Sequence, residues 1–468
     1  MEKNSNEELK NKLFRNVKSG WENLSNNEMG KIFEFSNGYI SFLNEVKTER
    51  EAATFSEKLL IENGFKNIDA LEEIKAGEKV YTVNRNKSVY AAVIGTDDIQ
   101  NGLNIIGSHI DSPRLDLKPN PLYEDTGFAY FNTHYYGGIK KYQWTAIPLA
   151  LHGVIVKTNG EKIDICIGEA DEDPIFTITD LLPHLAMNQM QKKLSDGVTG
   201  EDLNVLIGSI PYGEGSDAIK LNILKLLNDK YGITEVDFTS SELELVPSFK
   251  AKSLGFDKSM VAAYGQDDRV CAYTSLKAFV EVSNPAKTTV CILADKEEIG
   301  SYGNTGMYSI VFDNFISEIL NKMNINKPDL LTKIFCNSMM LSSDVDAGFD
   351  PIYKDVSDNT NAAYLGYGIG LNKYTGSRGK SGASDANAEY VAKIRNIFES
   401  ANVNYQISEL GKVDTGGGGT IAYILANKGI DVIDCGVPVL SMHAPYEVTS
   451  KYDIYCAYKG YKAFLNNK

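Results

Sequence analysis

Hydrophobic positions in this chain recur at two periods, and the places where one period gives way to the other mark out its elements. From Thr48 to Gly64, apolar residues fall at helical spacing behind acids in the first turns, and Gly64 supplies a stop. Two alternating runs, 79–83 and 88–94, flank the polar turn 84–87 and predict a hairpin. The stretch from Leu103 to Pro113 reads as a buried strand that ends abruptly in His109 and Asp111, two metal-capable side chains on the same side of an extended backbone. Residues 1–25 alternate charges and asparagines with few large apolar groups, which predicts a solvated arm or frayed helix.

After Pro113 the pattern changes. Prolines 119 and 121 interrupt it, aromatic and glycine residues crowd 123–144, and runs 149–156 and 162–167 flank the turn signal Thr158-Asn159-Gly160. Helix–strand alternation resumes near Lys252. Strands are predicted at 260–264, 288–293, 333–340 and 431–434, with helices at 268–282, 307–323, 384–400, 420–428 and from Ser450. Such alternation predicts an α/β protein with a three-layer α/β/α sheet and crossover helices. We expect that domain to be built from both ends of the chain, 1–114 and 251–468, with a β-rich insert at 115–250.

Composition narrows the functional classes. A chain of 468 residues with 43% hydrophobic content can bury a sizeable core, and a formal charge of −15 argues against holding nucleic acid or an anionic membrane. No apolar run approaches the ~20 residues of a membrane span, and the polar N-terminus lacks a signal-peptide pattern, so the cytoplasm is the expected location. Six cysteines without a Cys-x-x-Cys pair suggest neither a disulfide framework nor a thiolate zinc site, and are expected to be reduced core residues.

In open α/β sheets ligands sit beyond the carboxyl ends of the strands, so the residues just past each strand are informative. Strand 260–264 runs into Asp267-Asp268-Arg269, strand 288–293 into Glu297-Glu298, strand 333–340 into Asp344 and Asp346, and the strand near Val432 leads to His443. Alone, Glu297-Glu298 reads as a solvated charge pair, His443 as a loop histidine, and His109 with Asp111 as the start of a polar loop. Together they describe a crevice whose carboxylates would repel one another unless cations neutralise them. Histidines and carboxylates without cysteine suit Zn²⁺, Mn²⁺ or Co²⁺ in a site left open for substrate, and two metals would need one bridging carboxylate. The other histidines read more plainly: His134 as surface or packing, His152 as core or sheet-facing, and His184 as useful only if its segment folds over a site. The Gly416–Gly419 run lacks the Gly-Lys-Ser/Thr of a phosphate loop, but its backbone N–H groups, at Gly417 and Gly418 above all, could bind a substrate carboxylate or a developing oxyanion.

These motifs, in order, resemble the M18 family of metalloaminopeptidases, the aspartyl aminopeptidase and aminopeptidase I group, over nearly the whole chain. The resemblance is carried by His109-Ile110-Asp111-Ser112-Pro113, Tyr136-Gly137-Gly138, Pro183-His184-Leu185-Ala186, Asp267-Asp268-Arg269, Glu297 to Ser301, Ser342-Ser343-Asp344 and Met442-His443. It implies two divalent metals per subunit, Zn²⁺ with Co²⁺ or Mn²⁺ as alternatives. His109 and Asp344 would hold one, Glu298 and His443 the other, and Asp267 would bridge them. Asp111 would orient His109 through its second ring nitrogen, and Glu297 would be the general base that moves a proton from the attacking water to the leaving amine. It further implies a homododecamer built from dimers, with the insert making dimer contacts and lending a histidine, His184 being the candidate, to a neighbour's substrate site.

Members that prefer acidic N-terminal residues carry histidines after the ligand Asp, where this chain has Asp346 and Asp350; Asn188 likewise replaces a second histidine. Acids there would repel an acidic side chain, so neutral or apolar N-terminal residues of peptides are the expected substrates. Two other readings compete: a carboxypeptidase or amide deacylase on the same metal architecture, and a catalytically inactive oligomeric structural protein.

Overall fold

The alternating residues of 79–93 form the paired strands Lys79–Asn84 and Ser88–Val93 of a nine-stranded sheet, in a computed structural model that describes residues 2–15, 18–325, 327–376 and 378–467. Across the sheet the order is Lys66–Asn67, Lys79–Asn84, Ser88–Val93, Thr289–Ala294, Asn104–His109, Met339–Ser342, Asp431–Gly436, Ile369–Asn372 and Tyr405–Ile407. The neighbours from Thr289–Ala294 through Asp431–Gly436 are parallel, so their carboxyl ends open on one edge. Their side chains alternate between two cores, with Ile106, Cys291, Leu341 and Ile433 in one and Ile105, Ile292, Met340 and Val432 in the other. Burial on both faces is why these strands read as unbroken apolar runs.

Helices Asn26–Glu45, Glu49–Glu62, Gln266–Val280, Ala388–Ser400 and Lys451–Leu465 cover the first face, and Val311–Lys322, Leu330–Cys336 and Ala422–Ala426 the second. The result is the three-layer α/β/α arrangement expected from the alternation. Helix starts are written locally: Thr48 and Glu51 close a capping box before Glu49–Glu62, and the Ser450 side chain caps Lys451–Leu465. Glu2–Leu13 is a helix whose described side chains are exposed, in keeping with a solvated N-terminal segment.

The structure differs from the sequence reading in four places. Residues 333–340 do not form one strand: Leu330–Cys336 is a helix that buries Leu330, Ile334 and Phe335, and only Met339–Ser342 is extended. Leu330 and Ile334, four apart, share a helical face, and a short apolar run does not by itself distinguish helix from strand. The strand Met260–Ala263 lies outside the main sheet and joins Lys252–Leu254, Glu447–Ser450, Pro438–Leu440 and Asp346–Ala347 in a five-stranded sheet whose partners are remote in sequence. All six cysteines are free, but Cys166 and Cys336 are exposed rather than in the core. The helix Asn26–Glu45, its Ser25–Glu28 capping box included, was hidden by the Asn, Gly and Ser residues that dilute its apolar stripe.

Residues between Arg114 and Pro247 build a separate six-stranded antiparallel sheet with its own core around Leu115, Phe131, Trp144, Ile155 and Leu245, and the helix Ala218–Tyr231. A partly buried charge network ties this sheet to the part of the chain that carries the nine-stranded sheet. The imidazole of His152 lies between Glu51 (2.7 Å) and Glu169 (3.2 Å), and Glu169 also meets Lys47 (2.7 Å) and Lys250 (2.8 Å). Burial opposes the charge on Glu169, but His152 and Lys47 outweigh it and hold the carboxyl down to about 2. A depressed carboxyl contributes stability above its usual 4.5 and loses it as pH falls toward about 2. Glu169→Gln is therefore expected to lower the unfolding midpoint at pH 7, by about 1–3 kcal/mol in unfolding free energy, with the deficit shrinking as the pH is taken from 5 toward 2. Thermal unfolding across that range checks it, and a deficit that does not change with pH would contradict it.

Candidate metal centre

The open edge of the main sheet gathers acids and histidines from widely separated segments. His109 ends strand Asn104–His109, and Glu297 and Glu298 occupy the turn Glu297–Ile299 just beyond Thr289–Ala294. Asp344 follows Met339–Ser342, and His443 lies between Pro438–Leu440 and Glu447–Ser450. Asp267 and Asp268 open Gln266–Val280 with non-helical backbone angles. Gly436 shows how tightly the segments pass: a Cβ there would lie 1.5 Å from the Asp344 carbonyl oxygen, so only glycine fits.

At the centre stands Asp267. Its Oδ1 is 3.2 Å from His109 Nε2 and its Oδ2 is 3.1 Å from His443 Nε2. Asp344 Oδ1 and Glu297 Oε2 approach the same His109 nitrogen at 3.8 and 3.9 Å, and Glu298 Oε2 approaches His443 Nε2 at 3.5 Å. The other nitrogen of each ring is occupied. His109 Nδ1 faces Asp111, 3.2 Å from its Oδ1 and 3.1 Å from its backbone oxygen, while His443 Nδ1 donates to the Gly138 carbonyl at 2.8 Å. An imidazole fixed through Nδ1 keeps Nε2 free for a metal. Asp111 is itself held by the N–H groups of Glu297 (3.1 Å) and Glu298 (3.2 Å) and by the Tyr136 hydroxyl (2.8 Å).

The donor set fits divalent cations. Donor atoms of His109, Asp267 and Glu298, and of His109, Asp268 and Asp344, lie within 4.8 Å of one another. Glu298 Oε1 and Asp268 Oδ1 are buried without a hydrogen-bond partner. Among the described residues, no lysine or arginine forms an ion pair with Asp111, Asp267, Asp268, Glu297, Glu298 or Asp344; the ion-pair partners of this group are the two histidines. The electrostatics record that imbalance. Burial, then the Asp111 and Asp267 carboxylates, push Glu297 up to about 7 against the pull of His109. Burial also raises Asp344 and Glu298 well above the carboxylate range, with Asp268 and Asp267 respectively adding to it. Asp267 goes the other way, because hydrogen bonds from both imidazoles outweigh its burial.

A cavity of about 510 Å³ opens onto this centre, and its lining includes Asp267, Glu297, Asp344 and His443 together with Gly417 and Gly418. A larger one, about 1110 Å³, lies between the N-terminal segment and Ala388–Ser400 and contains none of these groups. His184 sits on the exposed turn Pro183–Leu185 of the insert, outside the 510 Å³ cavity of its own chain. His134 is exposed and bonds its neighbour's carbonyl, and His152 belongs to the charge network. The sequence reading missed Glu447, which is buried and accepts the N–H groups of Gln266 (2.5 Å), Asp267 (3.1 Å) and His443 (2.7 Å). It begins a four-residue strand, too short for any periodicity to announce that its first side chain turns inward. Asp268, which the sequence singles out only together with Asp267, accepts the His109 N–H at its Oδ2.

Comparison with known proteins shows what the chain is similar to. A family model described as aminopeptidase I zinc metalloprotease (M18) matches residues 42–465. The chain is 52% identical over 465 residues to a probable M18 family aminopeptidase 1 of Clostridium acetobutylicum, covering 98% of this chain and all of that one. The crystal structure of aminopeptidase I from Clostridium acetobutylicum superposes with a TM-score of 0.91 at 52% identity, covering 97% of this chain and 100% of that one. An M18 aminopeptidase from Thermotoga maritima superposes with a TM-score of 0.94 at 45% identity, with the same coverage. A structure of an S. cerevisiae mApe1 dodecamer shares the fold at 21% identity, with a TM-score of 0.75 and coverage of 94% and 97%.

Glu447 gives a direct test of the geometry. Glu447→Ala leaves the backbone donors beside Asp267 and His443 without their acceptor, and the expected result is a zinc affinity about 10–100-fold weaker with unchanged circular dichroism. Competition against a zinc-chelating dye measures it, and wild-type affinity would show that Glu447 does not brace the centre.

Proposed function

The chain belongs to the M18 family of metal-dependent aminopeptidases, and from that premise we propose that it removes single neutral or apolar residues from the N-termini of short peptides at a two-metal site. The observation that carries this reading is the Asp267 carboxylate, with one oxygen turned to each of two imidazoles that are fixed from behind. In it, His109 and Asp344 hold one ion and Glu298 and His443 the other, with Asp267 shared between them. Zinc is the proposed metal, with Co²⁺ or Mn²⁺ able to serve the same ligands. Two bound divalent ions would polarise the scissile carbonyl and acidify the attacking water.

The chain's own groups supply the rest. Glu297, next to the centre but not assigned to an ion, takes the proton from the attacking water and delivers it to the leaving amine. Asp111 holds His109 in the tautomer that leaves Nε2 free. Gly417 and Gly418 line the same cavity, and their N–H groups would take a backbone oxygen of the peptide. Val345, Leu410 and Met442 offer apolar surface to the first side chain, and Asp346 in the same lining disfavours an acidic one.

Assembly fits the same reading. Leu181, Leu182, Leu185, Met187, Met190 and Leu194 are exposed on one segment of the insert, more apolar surface than a solvated segment ordinarily shows. We assign it to contacts between subunits of a homododecamer built from dimers, with His184 in that segment reaching a neighbour's cavity; mApe1, which shares the fold, is also a dodecamer. Free cysteines suit a reducing compartment such as the cytoplasm.

Chelation is expected to abolish release of N-terminal residues from a peptide panel and added zinc or cobalt to restore it, with N-acetylated peptides left intact. Glu297→Gln should lower kcat by about 10²–10⁴ while leaving the metal content unchanged. Turnover of N-blocked peptides would favour the carboxypeptidase or deacylase reading, and indifference to both chelation and Glu297→Gln would exclude metallo-aminopeptidase chemistry here. Asp111→Asn should keep part of the metal and lose turnover, whereas His109→Ala should lose an ion; equal metal loss in both would overturn the division of roles.

A further inference from the structure

Both histidines of the centre are held from behind, and both holds trace to one point of the insert. At the end of strand Phe128–Tyr136, the Tyr136 hydroxyl donates to Asp111 Oδ2 at 2.8 Å, and Asp111 Oδ1 lies 3.2 Å from His109 Nδ1. Two residues on, the Gly138 carbonyl accepts from His443 Nδ1 at 2.8 Å. Gly137 lies between them at a φ of +77°, and a Cβ there would stand 3.3 Å from Glu298 Oε2 and 3.4 Å from the Pro113 Cα. The backbone thus crosses directly over a third acid of the centre, in a conformation that glycine adopts without strain.

The Tyr136 ring is not free to give. It is buried, and the Arg114 guanidinium lies 3.9 Å from its centroid. Arg114 is fixed by Asp116 (2.8 Å) and Glu244 (3.3 Å) of the insert and by Glu49 (3.2 Å) of a catalytic-part helix. Residues 136 and 138 of one strand end are at most about 7 Å apart, so a shift of that end displaces the acceptor of one imidazole and the donor to the other's carboxylate together.

We propose that Tyr136, Gly137 and Gly138 of the insert are positioning residues that orient both metal-facing histidines, so that metal affinity depends on how the insert is docked. This rests on His109 and His443 being ligands. It adds that the insert, whatever subunits it contacts, completes the metal site of its own chain. Tyr136 touches no reacting atom; it acts through Asp111.

The test is Y136F, which keeps the ring beneath Arg114 and removes only the hydroxyl, together with the wild-type protein. Zinc affinity by chelator competition, the visible spectrum of the Co²⁺-loaded protein and separate kcat and KM values are measured. The expected result is zinc binding about 10–100-fold weaker, a shifted Co²⁺ spectrum, and at saturating metal a lowered kcat with KM unchanged. Wild-type protein that binds no metal would remove the ligand reading itself; wild-type that binds metal while Y136F matches it in affinity and spectrum would overturn this proposal alone. Should Y136F fail to fold, hydrogen exchange on the wild type decides: added zinc is expected to slow amide exchange at the end of Phe128–Tyr136 and through Gly138, and exchange there unaffected by bound zinc would overturn it.

Discussion

One carboxylate shared between two imidazoles organises this protein. Asp267 is buried, and each of its oxygens faces a different histidine, while Asp344, Glu297 and Glu298 crowd around with no lysine or arginine paired to them among the described residues. Acids so placed raise one another's pKa and resist ionising together unless positive charge enters. Divalent cations supply that charge, which is why a cluster that would be a liability in an ordinary core is coherent in an M18 aminopeptidase. The surrounding structure serves to hold these groups in place against their repulsion.

How it does so explains the topology. Parallel central strands deliver His109, the Glu297 turn and the Asp344 turn to one edge, and the five-stranded sheet closes over that edge with Asp346–Ala347, Pro438–Leu440 and Glu447–Ser450. Its strand Met260–Ala263 leads directly to Asp267. Glu447, on the same small sheet, then accepts backbone N–H groups on either side of the shared carboxylate, at Asp267 and His443. The insert reaches in from another direction through Tyr136 and Gly138. The centre is therefore supported by all three sheets, and no single one of them contains it.

Much of the fold was legible because it is written locally. Two-period alternation located the hairpin of 79–93, and helical apolar spacing behind first-turn acids located the helix Glu49–Glu62. What was not legible depended on distant partners. The strand Met260–Ala263 looks like any other strand, and only its pairing with Glu447–Ser450 places it outside the main sheet. The predicted strand 333–340 overlaps the end of the helix Leu330–Cys336, because seven helical residues cannot show a period convincingly. The site followed the same division. Strand ends announce acids and histidines, and the structure brings those of His109, Asp267, Glu298, Asp344 and His443 together. Of the groups behind them, Glu447 carries no signal and Tyr136 stands out only within the Tyr136-Gly137-Gly138 motif, because their roles lie in which backbone or carboxylate they face.

The central claim is that Asp267 is shared by two ions, and it is tested most directly by crystals of the zinc-loaded protein with diffraction data on either side of the zinc absorption edge. The account predicts two anomalous peaks per chain about 3.5–4 Å apart, one beside His109 and Asp344 and the other beside Glu298 and His443, with Asp267 between them. A single peak, or two peaks of which only one touches Asp267, would contradict it.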